Sequence, residues 1–301
     1  MDSARVTKAA VVQAGSVLFD TAATLAKFEQ RTAEAAILGA QLIVFPEAFL
    51  GGYPKGMDFG AVVGHRTAEG RAQFRRYFES AMDVPGPETA QIADAARRYK
   101  AWIVVGVIER DGGTLYCTVL FFSPEGTLAG KHRKIMPTAM ERLIWGYGDG
   151  STLTVLDTSI GKLGAVICWE NYMPALRMSM YSKGVELYCA PTVDDRETWA
   201  VSMRHIACEG RCFVLSAVQH TDKIRGGSII VNPLGQVLAG PVYGEETVLV
   251  ADLNRNEITE GKFDFDATGH YSRPDIFQLK VNESPAPPVS PAEPAKKLTE
   301  H

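Results

Sequence analysis

Gly161-Lys-Leu-Gly-Ala-Val-Ile-Cys168-Trp-Glu-Asn-Tyr-Met-Pro174 reads as an apolar strand ending at a cysteine, then a short turn, then a helix with Pro174 in its first turn. A cysteine on such a bend projects at the carboxyl end of a sheet, where open α/β sheets build their sites. The helix N-terminus and nearby cations are expected to favour its thiolate, the form that attacks. Taken alone, Cys168 reads more readily as a small packed residue, as free cysteines usually are. A thiol nucleophile needs a base, and none of the six histidines lies close to it in sequence. A carboxylate can serve instead: Glu47 follows the short apolar strand Gln41–Phe45 and Pro46, and burial there would raise its pKa towards neutrality. The alternative for Glu47 is a structural carboxylate held by backbone donors. A group that stabilises negative charge is the third requirement. In Lys131-His-Arg-Lys134, strand alternation puts His132 and Lys134 on one face and Lys131 and Arg133 on the other. Such a cluster is ordinarily a solvated basic run, yet Lys134 leads straight into the apolar Ile135-Met136-Pro137. Glu141 follows seven residues later, placed either to neutralise Lys134 or to cap the next helix.

The elements that must position these groups are short β-branched runs alternating with helical stretches. Strands are expected at Val6–Gln13, Gln41–Phe45, Trp102–Ile108, Leu115–Phe122, Thr127–Arg133, Leu153–Leu156, Lys162–Ile167, Glu186–Ala190, Phe213–Val218, Ser228–Val231, Val237–Ala239 and Thr247–Leu253. Helices are expected at Ala22–Leu38, Arg66–Ser80, Glu88–Lys100, Pro174–Lys183 and Arg196–Glu209. Two hairpins echo each other, turning at Ser123-Pro-Glu-Gly126 and Asn232-Pro-Leu-Gly235 and ending in Leu-Ala-Gly. Two similar halves, each contributing a mixed sheet to one layered α/β domain over residues 1–282, account for the echo. From Glu283 five prolines fall within the remaining 19 residues, so 283–301 is expected to be a disordered tail.

The 301 residues carry a net charge of −4, which argues against nucleic-acid binding through clustered positive charge. No apolar run reaches membrane-span length, and the N-terminus lacks a signal-peptide pattern. Five cysteines without a secretory signal indicate reduced thiols in a cytoplasmic protein. Cys117 and Cys189 lie in apolar strand-like runs and read as small hydrophobes. Cys208, Cys212 and His205 fit no zinc spacing well, since Cys212 begins a strand. These four cysteines are each expected to tolerate Ser or Ala with activity largely kept. No P-loop, HExxH, GxSxG or GxGxxG pattern stands in its required context, so neither cofactor nor metal is implied.

Together, Phe45-Pro-Glu47-Ala-Phe, Lys131-His-Arg-Lys134-Ile-Met-Pro-Thr138 and Cys168-Trp-Glu-Asn-Tyr-Met-Pro174 resemble the nitrilase superfamily, most closely its true nitrilase branch. The resemblance extends to Trp145-Gly-Tyr-Gly-Asp-Gly-Ser151, Met203-Arg-His-Ile-Ala207 with Glu209-Gly-Arg211, and Gly269-His-Tyr-Ser-Arg-Pro-Asp-Ile276. It implies a four-layer αββα sandwich and a catalytic set of Glu47, Lys134 and Cys168, with Glu141 beside the lysine. The implied substrate is an organic nitrile, converted to the acid and ammonia through a covalent thioimidate and thioester. Trp169-Glu-Asn after the cysteine is similar to nitrilases and differs from what the superfamily's amidases and carbamoylases generally carry. Those C(=O)–N hydrolases are the rival within the superfamily, and a catalytically silent scaffold is the rival from another class. Trp169, Tyr53, Pro191 and Thr192 are candidates for the pocket wall. The resemblance also implies a homo-oligomer. The chain ends soon after Ile276, without the longer tail associated with spiral assembly.

Overall fold

The computed structural model describes residues 5–287 and 289. Two mixed sheets face each other. In the first, the strand order is Thr247–Asn254, Val6–Gln13, Leu42–Val44, Trp102–Asp111, Thr114–Phe122 and Leu128–Arg133. In the second, Ile224–Val231 lies beside Phe213–Ser216, followed by Leu187–Cys189, Gly161–Ala165 and Val155–Thr158. Val237–Tyr243 pairs with Ile224–Val231.

Successive side chains of a strand point to opposite faces, and here both faces are dry. Ala9, Val11, Leu42, Val44, Val104, Val119 and Phe121 meet Leu163, Ala165, Leu187, Cys189, Phe213 and Leu215 between the sheets. Their alternates Ala10, Val12, Ile43, Ile103 and Val105 pack outward on Phe28, Ala35, Ile92 and Ala96. These last four come from the helices Thr21–Ile37 and Pro87–Tyr99. Behind the second sheet, Val166, Tyr188 and Val214 meet Leu176, Met180, Trp199, Met203 and Ile206. Those belong to the helices Pro174–Ser182 and Glu197–Gly210. The result is helix, sheet, sheet, helix, the αββα order implied by the resemblance. Burial on both faces is why the strands read as unbroken apolar runs. Each fully buried Val, Leu or Phe adds about 1.5–3 kcal/mol to the sandwich.

Two expectations change. The sheets do not divide the chain into a first and a second half: Thr247–Asn254 returns to pair antiparallel with Val6–Gln13 in the first sheet. Helix 66–80 begins only at Ala68, because His65 and Arg66 pair with Ala61 and Val62 in a small ribbon and Thr67 caps the helix through the Gly70 N–H. A further helix, Asn256–Asp264, was not anticipated. The tail expected over 283–301 lies largely outside the described residues. Within them, Glu283 pairs with Lys183 and the Ala286 N–H donates to Asp149.

Candidate active site

Glu47 leaves the end of Leu42–Val44 on a tight turn. The Phe45 N–H donates to Val104 O at 2.8 Å, and the Leu50 N–H to Gly106 O at 3.1 Å, so the turn lies along the Trp102–Asp111 strand. Gly106 permits that approach: a Cβ there would stand 2.2 Å from Pro46 O and 2.7 Å from Glu47 Cα. Ala48 takes a left-handed φ of 48° to complete the turn. Gln219, which follows the Phe213–Ser216 strand of the other sheet, donates its Nε2 to Glu47 O at 2.7 Å. The carboxyl itself is fully buried.

Lys134 follows the edge strand Leu128–Arg133. The basic run is not a solvated face. Lys131 and Arg133 both pair with the buried Glu109, while His132 and Lys134 are buried on the opposite side. Lys134 Nζ donates to Glu47 Oε1 at 2.6 Å and to Glu141 Oε2 at 2.8 Å. Both alternatives for Glu141 are realised at once. Its Oε2 also accepts the Thr138 N–H at 2.7 Å, capping the 3-10 turn Ala139–Leu143, and its Oε1 accepts the Tyr53 hydroxyl at 2.7 Å.

Cys168 opens a 3-10 turn, Cys168–Tyr172, with a left-handed φ of 50°. Non-glycine residues held there cost roughly 1–3 kcal/mol and persist only where surrounding contacts fix them. The Cys168 N–H donates to Pro191 O at 2.9 Å, and Asn171 Nδ2 donates to Cys168 O at 2.8 Å. Glu170 accepts the Ile167 N–H at 2.9 Å and the Ile135 N–H at 2.5 Å, and His132 Nε2 lies 3.0 Å from it. One buried carboxylate thus ties the residue before the cysteine to the residue after the lysine. Burial opposes charge on His132, but Glu170 holds its imidazole above its ordinary pKa. Glu170→Gln must turn an amide NH2 towards one of these donors and leave it unsatisfied. Together with the lost charge pairing this is expected to cost about 2–4 kcal/mol. A melting temperature lowered by several degrees, with turnover falling alongside, is the expected calorimetric result. An unchanged melt would deny Glu170 this bracing role.

The electrostatics of the site follow from depth. Burial pushes the Glu47 carboxyl up, against the attraction of Lys134. Burial alone would lower the Lys134 ammonium, but Glu47 and its neighbours hold it well above its ordinary value. Burial raises the Cys168 thiol well above the usual range, and the negative Glu47 adds to the effect. This corrects the expectation of a resting thiolate. The Cys168 sulfur rests as a thiol because desolvation and a neighbouring carboxylate outweigh one cation and a short helical turn. The same carboxylate is the group able to remove its proton. Cys168 lies near enough to favour the carboxylate form of Glu47, yet Glu47 Oε2 is buried without a properly formed hydrogen bond. Among the described residues no partner is supplied to the Trp169 N–H, the second in its turn.

A cavity of about 440 Å³ opens onto Cys168 and Glu141, walled by Tyr53, Met57, Phe59, Ile144, Trp169 and Val193. Tyr53 and Trp169 thus line the cavity. Trp169 is pinned by its indole N–H, which donates to Asp194 at 2.9 Å, and by Arg196 stacked 4.8 Å from the ring. Pro191 and Thr192 are not in the wall. Both are buried beneath the cysteine, Pro191 through its carbonyl and Thr192 through a hydroxyl 3.1 Å from Cys168 Sγ. The reason is register: the strand Leu187–Cys189 runs beside Gly161–Ala165, so the residues following it end under the elbow. Gln219, Asn171, Asp194 and Arg196 were not singled out from sequence. Their roles are contacts with main chain or with residues far along the chain, which leave no local pattern. Among the described residues, no group of three or more His, Cys, Asp or Glu is placed to hold a metal ion.

A sequence model of the carbon-nitrogen hydrolase family matches residues 8–263. The chain is 54% identical to the bifunctional nitrilase/nitrile hydratase NIT4A of Lupinus angustifolius, covering 94% of this chain and 88% of that protein. It is 57% identical to a nitrilase of Bradyrhizobium diazoefficiens, covering 94% of each. The crystal structure of Nit3 from Saccharomyces cerevisiae, a member of branch 10 of the nitrilase superfamily, superposes with a TM-score of 0.73 at 24% identity, covering 89% of this chain and 97% of that one. At that identity the likeness speaks for the fold alone.

Proposed function

The chain belongs to the carbon-nitrogen hydrolase family, in the nitrilase branch of the nitrilase superfamily, and from that premise we propose that it hydrolyses an organic nitrile at Cys168. Glu47 Oε2 takes the thiol proton as Cys168 Sγ attacks the nitrile carbon. Lys134 and the Trp169 N–H stabilise charge growing on nitrogen, and the proton passes on to that nitrogen, leaving a thioimidate. Glu47 then draws a proton from water as its oxygen adds to the same carbon. Protonation of the amine breaks the C–N bond, ammonia leaves and a thioester remains. A second water, deprotonated the same way, adds; the C–S bond breaks, the sulfur regains its proton and the carboxylic acid departs. Each cycle consumes two waters. Glu141 and Tyr53 keep Lys134 aimed.

The observation that carries this reading is the carboxyl of Glu47, with Oε1 taken by Lys134 and Oε2 left open, beside the cysteine that a cavity reaches. The test is a panel of aliphatic, aromatic and arylacetonitrile substrates, each with its amide, followed by ammonia and acid release. Turnover of nitriles above that of the matched amides is expected. Turnover of amides or carbamoyl compounds alone would make the chain an amidase or carbamoylase, and no ammonia from any member would leave a silent scaffold.

A wider reading goes with the activity. The hydrolase domain is taken to span 1–282, with 283–301 as a tail, and no nucleic acid or membrane partner is proposed. No helix among the described residues is long and apolar enough to cross a membrane. Five free cysteines suit the reducing cytoplasm. Exposed Val201, Phe263 and Phe277 suit burial against further copies of this chain, as a homo-oligomer of two or more.

A further inference from the structure

Cys117 lies in the Thr114–Phe122 strand, and the mechanism above makes no use of it. It was expected to be a packed hydrophobe. It is buried, but its Sγ stands 3.6 Å from Glu47 Oε1, the oxygen that also accepts Lys134 at 2.6 Å. Its carbonyl accepts the Lys134 N–H at 2.8 Å, so this residue meets both members of the charged pair. Among the described residues the thiol has no other acceptor in reach, and burial raises it well above the usual range, so it stays protonated and able to donate.

We propose that Cys117 is a positioning residue: with Lys134 it occupies Glu47 Oε1, fixes the turn of the carboxyl group, and so reserves Oε2 for the proton of Cys168. The inference rests on Glu47 acting as the base. The Glu47 main chain is held independently by Gln219, so the side-chain torsion is the freedom left for Cys117 to settle. The cavity wall does not include Cys117, which makes its effect separable from substrate binding.

A donor to a carboxylate favours the charged form, and its loss raises the pKa of Glu47. The free enzyme must hold Glu47 ionised to accept the thiol proton, so the acid limb of kcat/KM must then move to higher pH. The other titratable groups facing Glu47 are Lys134, Glu141 and Cys168, with Tyr53 and Tyr77 behind them. All remain in place when only the Cys117 side chain is changed.

Cys117→Val and Cys117→Thr form a pair of equal shape that differ in the donor, and Cys117→Ser keeps a donor in less volume. With Val, kcat is expected to fall roughly tenfold with KM unchanged, and the acid limb to rise by about half to one pH unit, as suits a weak S–H donor. Thr and Ser are expected to restore most of kcat and to return the limb to or below its original position. Equal losses in Val and Thr, or a limb that stays fixed in Val, overturn the proposal. Should Val fail to fold, a Ser or Thr variant whose limb rises overturns it, and one whose limb stays or falls supports it. The same titration on the unaltered enzyme and on Cys168→Ala separates this outcome from failure of the reaction itself. If the unaltered chain turns over nitriles and Cys168→Ala does not, the Cys117 series tests only the orientation of Glu47.

Discussion

Replacing Cys168 by Ala is expected to bring nitrile turnover down to background while the protein keeps its fold. Among the described residues, no other cysteine lines the cavity: Cys117 is directed at Glu47, and Cys189 and Cys212 are buried with thiols raised by burial. Without a thioimidate the enzyme retains charge stabilisation and binding alone, so a loss of at least about 10⁴-fold is expected. The structural cost is small. One sulfur leaves a void worth on the order of 1 kcal/mol, and the bonds that hold the strained elbow run through the main chain at Pro191 and Asn171. The Thr192 hydroxyl loses Cys168 Sγ as its acceptor, but its oxygen still accepts the Asp194 N–H at 2.9 Å. The check is ammonia release beside a thermal melt and intact-protein mass after mixing with a nitrile. A folded Ala variant that still turns over substrate, or that still gains the mass of an adduct, would end the assignment. Cys168→Ser should be little better, since a buried hydroxyl is harder to ionise than a thiol and the base is unchanged.

Much of this architecture was legible because the strands are buried twice over. Val6–Gln13, Leu42–Val44, Trp102–Asp111 and Phe213–Ser216 carry apolar residues on both faces, and a run of that kind has few other uses in a chain of helices and turns. The candidate site was legible for a related reason. Glu47, Lys134 and Cys168 each stand within three residues of a strand's end, so the element and the candidate side chain are read together. What could not be read depends on contacts between distant parts of the chain. Gln219 meets Glu47 across 172 positions, and Tyr53 meets Glu141 across 88. Neither glutamine nor tyrosine has a local signature for such a role. Thr247–Asn254 is visible as a strand, but its choice of the first sheet over the second is a long-range pairing that its own residues do not specify. Helix Asn256–Asp264 is missed for want of pattern: only Ile258 and Gly261 are buried, and a glycine inside a short polar stretch reads as a turn. The thiolate expectation for Cys168 failed because a sequence indicates neighbours more readily than depth. Full burial beside a carboxylate reversed the sign that a helical turn and a cation suggested.

The two carboxylates around Lys134 are expected to fail in different ways when each is made an amide. In Glu47→Gln the amide oxygen can remain on Lys134 and Cys117, which places the NH2 where Oε2 was. That group cannot accept the thiol proton, so the pathway stops at or before the covalent stage. General-base assistance is worth about 10²–10⁴ at a single step, and here it is required both for sulfur attack and for water attack. In Glu141→Gln the amide oxygen can stay on Lys134 and the Thr138 N–H, with the NH2 turned to the Tyr53 oxygen, which is able to accept. The geometry survives while one negative charge beside Lys134 is lost. The lysine is then held less firmly, and a stabiliser that is loose but present slows the reaction without preventing attack. Glu141→Gln should therefore gain the mass of one substrate at Cys168 and release product slowly, whereas Glu47→Gln should gain little or none on the same timescale. Intact-protein mass spectrometry after rapid mixing with a reactive nitrile distinguishes the two. Prompt adduct formation by Glu47→Gln, with none by Glu141→Gln, would exchange the roles: Glu141 would be the base and Glu47 the residue that holds the lysine.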